Sequence, residues 1–517
     1  MAPNRPFNPF ILIMNTIEKS YQDYVHHLKK VQDVNSALAL LHWDNEVNGA
    51  KKGAALRGQQ IATLAGLAHE YATAPPLGTL LNELDQQKEQ LDDQQAANIA
   101  LSLKAYHRST KLPTSFVRDF ATAKTKAYQA WIAARKANDF GQYKDALKEV
   151  IQLLHQKVTY LGYEGHPYNT LLDEYERGAT VQQLDQLFQD VKEQLVPFAQ
   201  TIREQGKPSN ASFLRQPYNE DKQWQLGLDL LAQMGFDFEA GRQDRSEHPF
   251  TITISPKDVR VTTRIDAHNP MDMIGSCIHE GGHALYEMGL PAEQYGLPLG
   301  MATSLGIHES QSRLWENHVG LSKAYWQANL ERLADYFPEQ LQGIDLDTFY
   351  KGINQVVPNL IRTTADELHY HLHVLVRYEI EKGLMEQHYQ VEDLEAIWNE
   401  KYKLYLGVDV PDAKRGILQD IHWAEGLFGY FPTYSLGSFY AAQFYAQAKQ
   451  AIPTLEQQIE QGECQELLAW LRTNIHQYGQ YYTSEELCKR ATGKGLDLSF
   501  FMDYVREKYQ EVYDLNL

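Results

Sequence analysis

Cysteine is scarce: the 517 residues contain three, Cys277, Cys464 and Cys488. Three thiols cannot build a disulfide framework, which excludes the small disulfide-stapled secreted scaffolds and points to a reducing, cytoplasmic compartment. Long apolar runs are lacking too. Phe10-Ile11-Leu12-Ile13-Met14 is too short for a signal-peptide core or a membrane span, so residues 1–14 are read as a poorly ordered leader, with Met14 an alternative start. Positive charge is in deficit, 48 basic against 67 acidic residues, a net −19. That balance argues against nucleic-acid and anionic-membrane partners. No Gly/Ser-rich linker, low-complexity tract or repeat divides the chain, and residues 15–517 are read as a single domain.

What is present is helical periodicity. Apolar residues recur at helical spacing over Tyr21–Leu41, Val181–Gln205 and Phe439–Ile452, with short breaks such as Ala74-Pro75-Pro76 and Gly206-Lys207-Pro208-Ser209. From Phe250 to Ile265, threonine or charge alternates with isoleucine or valine around Ser255-Pro256-Lys257-Asp258, a hairpin signal. The expected fold is therefore mostly α: a large helical body divided by a deep active-site cleft, with a small antiparallel β-hairpin.

The most informative stretch is His279-Glu280-Gly281-Gly282-His283. On a helix, residues four apart share a face, so both histidines can point at one metal ion, and Glu280 stands next to the position where a metal-bound water would be polarised. Asn269-Pro270 reads as an N-cap and first helical residue. Met273, Ile274, Cys277, Ile278 and Leu285 supply the apolar stripe, and Gly289 sits where the helix should stop. Gly281 and Gly282 are costly inside a helix, about 0.8–1 kcal/mol each relative to alanine. Such positions are tolerated where a substrate or a packed neighbour approaches the backbone.

A catalytic zinc site needs a third protein ligand and an open position. The HExxHxxGxxH variant does not apply, because Tyr286 holds its glycine position and Gly289 its histidine position. Glu287 lies too close on the same helix to aim well, and Glu293 falls in a Pro/Gly-containing loop. Glu309 opens a second helical run after a loop long enough for the chain to return past the metal, and is taken as the third ligand. Glu316, two turns further along that run, is assigned to orient a ligand histidine; a surface ion pair is its alternative. A rival grouping, Asp366, His369 and His373 with His371 between, lies in an apolar-periodic run and is read as buried core histidines.

Six short segments then occur in order: His248-Pro249-Phe250; Asp258-Val259-Arg260-Val261-Thr262; residues 279–283; His308-Glu309-Ser310-Gln311; Ile361-Arg362-Thr363-Thr364-Ala365-Asp366; and Gly416-Ile417-Leu418-Gln419-Asp420-Ile421-His422-Trp423. With Phe428 to Gln443, and a weaker echo at Leu41-His42-Trp43-Asp44, they resemble the carboxypeptidase Taq family of metallocarboxypeptidases. The departure is Asn48-Gly49-Ala50-Lys51-Lys52, where the family has a proline-containing run; it lies far from the chemistry in sequence.

The resemblance implies a homodimeric helical peptidase that removes single residues from peptides with a free C-terminus. Arginine suits carboxylate recognition. Arg362 is the first choice, because the matching family position binds substrate; Arg260 is the second, and Arg415 carries less weight. Ion pairs with Asp366 and Asp258 are the competing structural readings of Arg362 and Arg260. His422, His248 and Tyr434 are candidates to stabilise the oxyanion; the likeness points to Tyr434, with Tyr430 as fallback. The expected activity is a zinc carboxypeptidase of broad specificity, Glu280 acting as general base, with cobalt or manganese as alternative metals. The alternatives are a helical zinc endo-oligopeptidase and a peptide-binding protein with a vestigial metal.

Overall fold

The computed structural model describes residues 9–207 and 209–515, with side chains described from residue 17 onward. Of the expected leader, residues 1–8 lie outside the described residues, and the first helix begins at Pro9 and runs to Val47. Two helices exceed the stripes that announce them, Pro9–Val47 and Pro432–Ala451. Val181–Gln205 matches its stripe. Its start is set by a capping box, in which Thr180 Oγ1 accepts the Gln183 N–H and Gln183 Oε1 accepts the Thr180 N–H. Both proline- and glycine-marked breaks separate helices: Pro75 opens Pro75–Gln86, and Gly206 ends Val181–Gln205.

The hairpin forms as β2 (Thr251–Ser255) antiparallel to β3 (Asp258–Thr263). A further strand that the sequence does not announce, β1 (Gly241–Arg245), pairs parallel to β3, so the small sheet is mixed, in the order β1-β3-β2. Its residues, Gly-Arg-Gln-Asp-Arg, show no apolar alternation because only Gln243 faces the core. β3 is central and buries Val259, Val261, Thr262 and Thr263, while β2 is an edge strand, half-buried along its length.

The sheet packs on the helix Pro270–Gly289, which carries the two histidines (the motif helix hereafter). Pro270 takes the first helical position, as expected, but the Asn269 side chain makes no capping hydrogen bond. Gly289 is the last helical residue rather than a left-handed cap. A Cβ there would stand 2.3 Å from His476 Nδ1. Gly281 and Gly282 are explained by packed neighbours. A Cβ on Gly281 would meet Leu231 Cδ2 at 2.8 Å, and one on Gly282 would meet Gln311 O and Ser312 Cα at 2.7 Å. Those last atoms belong to the helix Leu305–Arg313, which is backed on another side by Gly437 of Pro432–Ala451, where a Cβ would lie 2.5 Å from Glu309 Cγ.

Gly282→Ala is therefore expected to destabilise the protein by about 1–3 kcal/mol, since the obstacle is backbone that cannot swing away. Gly275→Ala, in the same helix with nothing within 4 Å of the new Cβ, should stabilise it by roughly 0.8–1 kcal/mol through helix propensity. Denaturant titration of both variants separates the two effects; shifts of the same sign would refute the packing explanation.

Candidate metal centre

One turn apart on the motif helix, His279 and His283 hold their rings 4.9 Å apart and nearly perpendicular. Both Nε2 atoms turn toward the Leu305–Arg313 helix, where Glu309 Oε2 lies 3.5 Å from His283 Nε2 and 3.8 Å from His279 Nε2. The three ligand atoms fall within 4.8 Å of one another. Two imidazole nitrogens and a carboxylate oxygen converging at such distances, too long for good hydrogen bonds, form a donor set that fits a divalent cation.

The carboxylates around this point are held firmly. Glu316 Oε2 accepts from His279 Nδ1 at 2.7 Å, so it engages the ring nitrogen that faces away from Glu309. Just after Arg313 the helix widens into a π-helical stretch, Leu314–Gly320, in which Leu321 N bonds Glu316 O; such widenings cluster at functional sites. Arg313 donates to both acids, Nε to Glu309 Oε1 at 2.8 Å and Nη1 to Glu316 Oε2 at 3.1 Å. Burial favours neutral Glu309, but Arg313 and the two histidines outweigh it and hold its pKa far below the usual range. Burial likewise lowers His279, yet Glu316 and Glu309 prevail and raise it to about 9. Nothing in composition singled out Arg313, although its spacing four residues after Glu309 is a helical ion-pair spacing.

Glu280 is buried, with its Oε2 accepting from Thr251 Oγ1 of β2 at 2.6 Å. The edge strand thus reaches the carboxylate next to the candidate ligands, a contact the sequence does not disclose. His308 stacks on His283 with centroids 4.4 Å apart and bonds Glu287 Oε1 at 2.8 Å.

A second cluster builds the neighbouring wall. Arg362 is buried and paired with Asp420, not with Asp366: its Nε and Nη2 donate to Asp420 Oδ1 at 3.1 and 2.9 Å. Asp420 Oδ2 accepts from Arg377 at 2.7 Å. Arg362 Nη1 donates to Tyr370 Oη at 3.1 Å, and its guanidinium lies 4.8 Å from the Tyr434 ring. Tyr434 Oη and His422 Nε2 are 3.2 Å apart, and Tyr430 packs on Tyr434 at 5.3 Å. Burial pulls the His422 pKa down to about 4, with Arg362 and Arg377 adding to the shift against Asp420, so this imidazole is neutral near pH 7. Tyr370 also lies under Arg313, 4.4 Å from its guanidinium, and so joins this wall to the candidate ligands. Among 31 tyrosines, no sequence signal marked it.

The loop carrying Asp420, His422 and Tyr430 is tied down by Glu381, which accepts from Trp423 Nε1 at 2.8 Å, Gly429 N at 2.8 Å and Tyr168 Oη at 2.5 Å. Burial lifts its carboxyl to about 7 against those hydrogen bonds.

Other candidates are not drawn into these clusters. The His248 side chain is exposed, and among the described residues it has no hydrogen-bond or ion-pair partner; only its backbone carbonyl is used, by Ser246. Arg260 forms a two-point pair with Asp258 at 2.9 Å and stacks on Trp43 at 4.4 Å. Arg415 pairs with Asp412. The rival histidines are core groups: Asp366 caps the helix Glu367–Met385 and holds His369, while His371 and His373 bond Ser435 and Tyr402.

Fold and donor set together describe a helical metallohydrolase. The chain belongs to the carboxypeptidase Taq (M32) metallopeptidase family, whose sequence model matches residues 23–509. It is 39% identical over 510 residues to thermostable carboxypeptidase 1 of Thermus thermophilus, covering 96% of this chain and 100% of the relative. The crystal structure of the M32 carboxypeptidase from Deinococcus radiodurans superposes with a TM-score of 0.94 at 37% identity, covering 96% and 100%. A solved structure described as that of CHT matches with a TM-score of 0.93 at 54% identity, covering 95% and 99%.

Glu381 provides a pH test. Its folded pKa, about 7, exceeds its ordinary 4.5, so the folded state holds the extra proton between those values. The resulting stability is complete below about pH 4.5 and is lost as pH rises through 7. Glu381→Gln should flatten this part of the melting-temperature profile between pH 5 and 8; parallel profiles for variant and parent would contradict the argument.

Proposed function

We propose that this protein removes single amino acids from the C-terminus of peptides with broad specificity, using zinc held by His279, His283 and Glu309; cobalt or manganese could serve in its place. The observation that carries this reading is the convergence of two histidine nitrogens and one carboxylate oxygen within 4.8 Å, with Glu280 on the same helix. When bound, the metal supplies Lewis acidity toward the scissile carbonyl and lowers the pKa of a water. Glu280 takes the proton of the attacking water and delivers it to the departing amine. Its hydrogen bond from Thr251 supports that role by fixing where the carboxylate points. Glu316 orients His279 through Nδ1.

Arg362 is assigned to the terminal carboxylate of the substrate. Of its five N–H groups, three are used among the described residues, by Asp420 and Tyr370, which leaves one on each terminal nitrogen. A carboxylate can accept both in parallel. Tyr434 presents a donor to the oxyanion, its hydroxyl oriented by neutral His422, and Tyr430 is the alternative. His248 and Arg260, with their exposure and existing partners, are given no part in this step. The β2 edge offers backbone groups to an extended peptide. A single domain, a homodimer and a cytoplasmic location complete the reading, resting on the family likeness, the acidic balance and the scarcity of cysteine.

A defined peptide, as free acid and as C-terminal amide, tests the proposal by mass spectrometry. A ladder of single-residue losses is expected from the free acid alone. Glu280→Gln should abolish it, and Arg362→Gln should weaken it mainly through KM. Internal cuts in both peptides would instead make the enzyme an endo-oligopeptidase.

A further inference from the structure

Taking Glu309 as a metal ligand leaves open how many of its oxygens the metal receives, and the surroundings of its carboxylate bear on that. Oε1 is occupied by Arg313 Nε at 2.8 Å. Oε2 faces the histidines, 3.5 Å from His283 Nε2 and 3.8 Å from His279 Nε2. Behind the side chain, Gly437 packs so tightly that a Cβ there would lie 2.6 Å from Glu309 Cβ and 2.5 Å from Cγ, so the stem has little freedom to swing. Turning Oε1 toward the histidines as well would draw it away from Arg313 Nε and weaken the pairing of a guanidinium that is only partly exposed. Arg313 also donates to the Glu316 oxygen that engages His279 Nδ1. Its planar fork can serve both carboxylates from one rigid group, which a lysine ammonium cannot reproduce. Tyr370 closes the guanidinium face at 4.4 Å, and thus opposes its displacement.

We propose that Arg313 is a positioning residue that restricts Glu309 to a single-oxygen ligand and, through Glu316, sets the orientation of the His279 ring. The consequence is functional. A carboxylate that spends one oxygen on arginine leaves a coordination position free for water and the scissile carbonyl, which the proposed hydrolysis requires. The inference rests on the assignment of Glu309 as ligand.

The test uses the full-length protein loaded with cobalt(II), whose visible absorption weakens as coordination number rises. Arg313→Met should show weaker visible bands than the parent, and a kcat lowered about 10- to 100-fold with KM changed less than about twofold. Arg313→Lys should move both readouts in the same direction by a smaller amount. A folded Arg313→Met protein with the parental cobalt spectrum would overturn the proposal. Should that variant fail to fold, a parental spectrum and kcat in Arg313→Lys would do so instead. Glu309→Gln separates the two levels of the argument: if it binds cobalt as tightly as the parent, the ligand assignment itself fails.

Discussion

Glu309 reaches the two histidines because three helices meet with almost nothing between them. Gly282 lets the backbone at Gln311 and Ser312 lie against the motif helix, and Gly437 lets Pro432–Ala451 press on the side chain of Glu309 itself. Close-packed interiors transmit any added methyl group into displacement or strain. A shift of the Leu305–Arg313 helix by the width of a methyl would move Glu309 Oε2 away from both Nε2 atoms. The donor set is thus a consequence of backbone approach, and the helix propensity given up at two glycines is small beside what that approach secures.

Charge completes what packing begins. A buried carboxylate is unfavourable alone and favourable when paired and hydrogen-bonded. The acids of this region have partners: buried Glu309 has Arg313 and Ser312, half-buried Glu316 has Arg313 and His279, and half-buried Asp420 has Arg362 and Arg377. The two networks are joined at Tyr370, which receives a hydrogen bond from Arg362 and lies against Arg313. The candidate metal centre and the neighbouring wall are therefore parts of one polar assembly.

Much of the candidate site was legible along the chain, for physical reasons that differ from residue to residue. His279 and His283 follow from the helical repeat alone. Glu309 was reached from a loop long enough to return the chain past the histidines. Glu316 bonds His279 Nδ1 from a π-helical stretch that the sequence does not announce. Arg362 was legible as a residue but not in its partnership, because Asp420 lies 58 positions away and no local rule reaches that far. Thr251 and Tyr370 were silent for the same reason. β1 escaped because a strand whose outward residues are charged carries no alternating apolar signature.

Local chemistry decided the helical class, the strand pair flanking Ser255-Pro256-Lys257-Asp258, the face shared by the two histidines and the exclusion of a disulfide scaffold, since each depends on periodicity or composition within a few turns of chain. The tertiary structure alone decided which acid faces which base, why Gly281 and Gly282 are glycine, that Arg260 stacks on Trp43 and that Arg362 pairs with Asp420. Those outcomes depend on contacts between segments tens to hundreds of residues apart, such as Thr251 with Glu280 and Gly437 with Glu309, and such contacts are set by how the helices pack.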